Sequence, residues 1–329
     1  MKLLNKYKNK YKFWLFAFFA CALALIFSLP MQATNKIDIK DIDNFAASAT
    51  VMVARGLQKG DLEEKREWDP GSGVIIARND NTYYVATNSH VVKKPNPENT
   101  WGVRTYDGEV HKVQDNGDII RFGKYGGPGN PIDGYDLSVI KFQSDRNYQI
   151  AVVGDSSKLN PNESVFVSGW PKPEDLSNRR ERIFRQGKLA KVNVQPETDG
   201  GYSLLYDNRT RPGMSGGPVF NSSGELIGIH GRGRGREGNY CVDKQLSAKN
   251  SCGIQSVHFI QQAELKGLQL SYTTSPITTA QVISGRVIDR NRSDVIEDVY
   301  KIFTIGALRR DAGFGSGGCG SLLLGDRCP

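Results

Sequence analysis

The sequence predicts an all-β fold of the sandwich or barrel type. Short runs rich in Val, Ile, Tyr and Phe recur between residues 49 and 230, separated by Gly, Pro, Asn and Asp. Two tight-turn signals, Asn79-Asp80-Asn81 and Asp107-Gly108, sit between such runs and mark hairpins. Helical periodicity is scarce before about Val257.

The 329 residues allow one large β domain or two ordinary ones, and 38% apolar content suffices for a core. After a polar lead, Thr34 to Asp43, the run Ala49 to Ala54 reads as a first strand, and charged Lys59 to Asp69 as a surface loop. Gly71-Ser72-Gly73 opens Val74 to Ala77, which turns into Thr82 to Ala86. Trp101 to Tyr106 and Glu109 to Val113 form the second hairpin. A Gly/Pro-rich loop, Gly123 to Gly134, leads into Leu137 to Phe142, and polar Gln143 to Asn147 reads as a boundary. The second half repeats the style at Gln149 to Val153, Ser164 to Gly169, Arg182 to Val194, Tyr202 to Tyr206, Gly217 to Phe220 and Glu225 to His230. A short helix from about Val257 closes the domain, taken as residues 34–270. Residues 271–292 read as a linker. Asp294 to Arg309 places Val295, Val299, Ile302 and Phe303 on one helical face, ahead of glycine-rich Gly313 to Gly320. The 271–329 tail is expected to be a weakly ordered appendage without an assigned function.

The formal charge of +8 overstates how basic the domain is. Residues 1–33 hold five lysines and no acid, which leaves +3 for the rest, too little to argue for nucleic acid. Those lysines precede an apolar run from Phe13 to Leu29, closed by Pro30, with Met31-Gln32-Ala33 ahead of a cleavage point. Residues 1–33 are therefore expected to be a cleaved export signal. The alternative is an anchor through residues 13–30 that stays attached, the one expected route to a membrane. Both place the domain outside the cytoplasm, periplasmic or secreted. Cys241, Cys252, Cys319 and Cys328 are disulfide candidates there, and pairing Cys241 with Cys252 and Cys319 with Cys328 is the simplest of three connectivities. No CxxC spacing or Cys/His cluster suggests a metal, and no cofactor is expected.

The chemistry centres on Pro212-Gly213-Met214-Ser215-Gly216-Gly217-Pro218. A serine among glycines is a poor nucleophile until a base lies within hydrogen-bond reach. Of the four histidines, His90 follows the strong strand ending near Ala86, where a scaffold positions it; His111, His230 and His258 are the others. Asp136 stands at the mouth of Leu137-Ser138-Val139-Ile140 and can be buried beside an imidazole; Asp133, its competitor, reads as turn chemistry. The order is His90, Asp136, Ser215. Gly213-x-Ser215-x-Gly217 also fits a hydrolase nucleophile elbow, but Val219-Phe220 continues as strand and no helix follows. Arg232-Gly233-Arg234-Gly235-Arg236 lacks the lysine–serine pattern of a phosphate loop.

With these pieces in register, the chain resembles the trypsin/chymotrypsin-like serine peptidases, in the bacterial branch near HtrA-type proteases and glutamyl endopeptidases. The matching segments are Gly71-Ser72-Gly73-Val74, Thr87 to Val92, Tyr135 to Val139, Val165 to Pro171, Pro212 to Val219 and Leu226 to Gly231. The resemblance implies two six-stranded antiparallel β-barrels, about 45–145 and 146–262, with the site between them. It implies Ser215 as nucleophile, His90 as base, Asp136 as its orienting acid, and the N–H groups of Gly213 and Ser215 as the oxyanion hole. Arg209 falls at the pocket floor, so cleavage after Lys or Arg is not expected. Thr210 and His230 match glutamyl endopeptidases, and with Gly231, Arg232 and nearby arginines they suggest an acidic preference. Protein or peptide substrates are the implied partners. A catalytically silent binding protein on this fold, or an HtrA-like quality-control protease and chaperone without a PDZ domain, are the alternatives. Met214 stands where zymogens of this family carry an aspartate that pairs with a new N-terminus. Activity is therefore expected to be similar in processed and N-terminally extended forms; assays showing strict dependence on one new N-terminus would refute this.

Overall fold

A computed structural model describes residues 37–61, 69–93, 100–127, 130–174, 179–192, 199–235 and 248–270. The leader, most of the charged 59–69 loop, Arg236, Cys241, and the tail with Asp294 to Arg309, Cys319 and Cys328 lie outside these residues.

Helix α1, Ile39–Ala49, replaces the polar lead expected there. The Asp38 side chain accepts from Lys40 N at 3.1 Å and caps it. Ile42, Phe45, Ala46 and Ala49 are buried at i, i+3, i+4 and i+7 spacing, so one narrow apolar face suffices.

Seven strands follow: β1 Thr50–Arg55, β2 Gly71–Asn79, β3 Thr82–Thr87, β4 Trp101–Arg104, β5 Val110–Val113, β6 Ile119–Tyr125 and β7 Ile132–Gln143. They form one antiparallel sheet in the order β5-β4-β1-β2-β3-β7-β6. The second half holds β8 Ser164–Gly169, β9 Ile183–Val192, β10 Leu204–Tyr206, β11 Pro218–Asn221, β12 Leu226–Arg232 and β13 Ser251–Gln255, with α2 Ser256–Leu265 after them. These six strands close into a barrel, β10-β13-β12-β11-β8-β9.

The class and the two-part architecture match expectation, with three differences in detail. The first sheet has seven strands rather than six, because the stretch before the Gly/Pro loop pairs with β7 as β6. Ser251–Gln255 also becomes a strand, filling the gap between β10 and β12. Gln149 to Val153 is not a strand; it contributes an isolated bridge, Val153 to Leu226.

Strand periodicity places the cores. On β2, Ile75 packs with Val51, Val53, Tyr83 and Val85 inside the first sheet. Val74 and Ile76 face the opposite way, into a cluster with Leu137 and Val139 that also contains Phe166, Phe220, Ile229 and Ile254 of the second barrel. This shared cluster is the seam between the halves, and Phe45 of α1 meets Phe220 edge-on within it at 6.1 Å. Replacing Phe45, which is fully buried, with Ala is expected to lower stability by about 3–5 kcal/mol, read from urea unfolding curves.

Candidate active site

The turn after β3 carries His90. It is closed by Val91 N donating to Asn88 O at 3.2 Å. Asn88 Nδ2 donates to Asp136 O at 2.7 Å and Ser89 Oγ to Leu137 O at 2.6 Å, so the turn is pinned along β7. Asp136 on β7 has no exposed surface. Its Oδ1 accepts from His90 N at 2.9 Å, and its Oδ2 lies 2.6 Å from His90 Nδ1. Tyr202 Oη donates to the same Oδ2 at 2.5 Å. Burial alone would push the Asp136 carboxyl upward; the His90 ring, the Tyr202 hydroxyl and the His90 N–H outweigh it and hold it below the usual carboxylate range. A carboxylate at Nδ1 fixes that nitrogen as the protonated one, leaving Nε2 as the basic atom.

The Ser215 loop is folded by its own carbonyls and by one from β12. Met214 N donates to Arg211 O at 3.1 Å, Gly217 N to Met214 O at 3.0 Å and Gly216 N to His230 O at 2.8 Å. The N–H groups of Gly213 and Ser215 have no partner among the described residues, which leaves both available to a ligand oxygen. Gly216 takes a left-handed backbone, φ +86°, and a Cβ there would overlap Ser72 O and Thr87 Oγ1. Met214 is buried in the barrel-two core, so an apolar side chain anchors the loop. Ser72, from the Gly-Ser-Gly opening β2, binds this loop to the first sheet. Its N–H donates to Ser215 O at 2.7 Å. Its hydroxyl donates to Gly213 O and accepts from Trp170 N, both at 2.8 Å. The Gly71-Ser72-Gly73 segment carries no sign of this role for Ser72 in the sequence.

The structure joins His90 and Asp136 directly and places Ser215 on the loop opposite. Ser215 Oγ donates to Gly231 O at 3.0 Å, and no hydrogen bond links it to His90. Of the pocket residues, His230 is buried with Nδ1 2.7 Å from Tyr206 Oη. Burial, then the nearby His90, lowers His230 to about 3, so its ring is neutral. Thr210 Oγ1 lies 3.1 Å from Ser251 Oγ. Arg232 is only 7% exposed; it bonds Asp199 at 2.9 Å and lies 4.4 Å over the Tyr202 ring, behind Asp136. Arg209, Arg211 and Arg234 line a separate cleft of about 670 Å³, with Thr210, Arg185, Glu174 and Asp207, to which none of His90, Asp136 and Ser215 contributes. Cys252 is disulfide-bonded. His111 stacks on Phe142 and bonds Tyr148, while His258 lies on α2.

Residues 71–229, from the start of β2 into β12, match the family model described as a trypsin-like peptidase domain. Over that stretch the chain is similar to trypsin-like peptidases. The matched span contains His90, Asp136 and Ser215. Among similar proteins, the serine protease Do-like HtrA of Bacillus subtilis is 31% identical over 182 residues, 53% of this chain and 36% of that protein. A glutamyl endopeptidase of Staphylococcus epidermidis is 31% identical over 175 residues, 49% of this chain and 53% of that protein. The chain thus spans about half, or less, of the length of these relatives. An HtrA-type protease solved with a tripeptide aligns over 71% of this chain and 64% of its own, at a TM-score of 0.49 and 18% identity.

His230 gives the fold a pH signature. Unfolded, its ring takes a proton near pH 6.5; folded, only near 3. Between these values the unfolded state binds more protons, so acidification through the window destabilises the fold. His230→Gln is expected to flatten the fall of the urea midpoint between pH 6.5 and 3.

Proposed function

We propose that this chain is an exported serine endopeptidase that hydrolyses peptide bonds through an acyl-enzyme intermediate. The observation that carries this reading is the pairing of buried Asp136 with His90 at 2.6 Å, together with a serine loop whose Gly213 and Ser215 N–H groups have no partner among the described residues. Export rests on the lysine-led apolar segment of residues 1–33.

In this reading Ser215 Oγ leaves Gly231 O and turns to His90 Nε2 as substrate enters; catalytic hydrogen bonds often tighten only in the complex. Oγ attacks the scissile carbonyl carbon while its proton passes to Nε2. The carbonyl oxygen becomes an oxyanion held by Gly213 N–H and Ser215 N–H, and losing one such donor costs about 3 kcal/mol of barrier. Collapse breaks the C–N bond, and the leaving amine takes the proton from His90. A water then gives its proton to Nε2 and attacks the acyl carbon; Ser215 Oγ departs with that proton, and the new acid is released. Asp136 keeps its charge throughout and stabilises the imidazolium.

An acidic side chain before the cleaved bond is the proposed preference. Thr210 and His230 support it, as does the similarity to a protein named glutamyl endopeptidase. Because the His230 ring is neutral, its part is a hydrogen bond. Positive potential comes from the cleft that Thr210 lines, where Arg185, Arg209, Arg211 and Arg234 outnumber Glu174 and Asp207. Ser215→Ala is expected to lower kcat/KM on an unfolded protein by about 10⁶-fold and to abolish labelling by a serine-directed phosphonate; persistence of either overturns the nucleophile. A peptide-library digest is expected to show cleavage after Asp and Glu, whereas cleavage mainly after small apolar residues removes the acidic preference.

A further inference from the structure

We infer that Tyr202 and Arg232 are positioning residues of the proposed site: the Tyr202 hydroxyl sets how strongly Asp136 supports His90, and Arg232 holds the Tyr202 ring against it. This rests on the serine endopeptidase reading.

Tyr202 Oη and His90 Nδ1 donate to one oxygen, Asp136 Oδ2, at 2.5 and 2.6 Å. Two donors on one oxygen share its electron density. The phenol therefore reduces the negative charge available to the imidazole and fixes the carboxylate plane. Tyr202 is fully buried, so water does not substitute for its hydroxyl. Burial, followed by the adjacent Asp136 charge, raises the phenol well above its ordinary value, which keeps it a donor.

The surroundings are shaped for this ring. A Cβ at Gly231 would overlap Tyr202 Oη, and one at Gly200 would come within 3.0 Å of Tyr202 Cε2 and 3.2 Å of Asp136 Cβ. Gly231 is also the residue whose carbonyl accepts from Ser215 Oγ, so the ring abuts the nucleophile's own partner. The segment leading to Tyr202 is bolted to β7. Gly200 O accepts from Asp136 N at 2.9 Å, and Gly200 N donates to Ile132 O at 3.1 Å. Asp199 Oδ1 accepts from Ile132 N at 2.7 Å and from Arg232 Nη2 at 2.9 Å. Arg232 thereby bridges β12 to this segment while its guanidinium covers the Tyr202 face at 4.4 Å.

The other charged or titratable groups facing the pair are few. His230 approaches from β12, and Tyr125 of β6 lies 6.3 Å from the His90 ring, with Lys93 Nζ 5.3 Å over the Tyr125 ring. None of these donates to Asp136. Tyr202 is the side chain, besides His90 itself, that the described residues offer to this carboxylate.

Removing the hydroxyl leaves Oδ2 with one side-chain donor and more charge, which favours the imidazolium. Tyr202→Phe is thus expected to move the acid limb of kcat/KM upward by about half a pH unit. Its kcat should fall about 10-fold with KM nearly unchanged. Fluorotyrosine at 202, a stronger donor in the same shape, should move the limb downward. Arg232→Gln should shift it upward, like Tyr202→Phe, without raising KM for acidic substrates. Titration of His90 by NMR in the Ser215→Ala background should show the same order without any turnover. An unmoved limb and an unmoved His90 titration in Tyr202→Phe would overturn the inference, as would an Arg232→Gln effect confined to KM for acidic substrates. Activity that survives Ser215→Ala would instead overturn the endopeptidase reading itself.

Discussion

Asp136 carries its charge where water does not reach, and a carboxylate in such a place costs several kcal/mol unless donors replace its hydration. The donors come from separate stretches of chain. The turn after β3 supplies the His90 N–H and ring, and the segment before β10 supplies the Tyr202 hydroxyl. Each must hold its geometry for the buried charge to be tolerated. The requirement that stabilises the seam is thus the same one that fixes the imidazole tautomer.

A second constraint acts on the Ser215 loop. Its glycines permit the left-handed turns, but permissive backbone does not choose one conformation by itself. Ser72 makes the choice from the first sheet, with its N–H on Ser215 O and its hydroxyl on Gly213 O. Met214 makes it from the second barrel, as part of the core. The serine is therefore held from both sides of the seam.

Much of this was legible in the sequence because the informative residue types are scarce and local. Four histidines and the Gly213-Met214-Ser215-Gly216-Gly217 stretch left few constellations to consider, and period-two alternation marked most strands within a residue or two. What escaped depended on tertiary partners. Helix α1 was marked by Asp38 and by the 42, 45, 46, 49 spacing, yet it is short and begins inside the polar lead. Strands β6 and β13 contain Gly or Cys and form because neighbours need pairing. Arg232 looked like pocket charge, since a sequence does not say which way a cation turns. It faces Tyr202 and Asp199, a pairing between residues far apart in the chain. Tyr202 itself carried no signal beyond a strand-forming aromatic.

The Ser72 contacts also make the Ser215 loop a gauge of how closely the two halves sit. Three hydrogen bonds, to Ser215, Gly213 and Trp170, converge on this one residue of β2. A slight parting of the seam breaks them together, while each sheet keeps its own ladder. On warming, such a joint acts as a fuse: the Ser215 loop loses its anchor before either half melts.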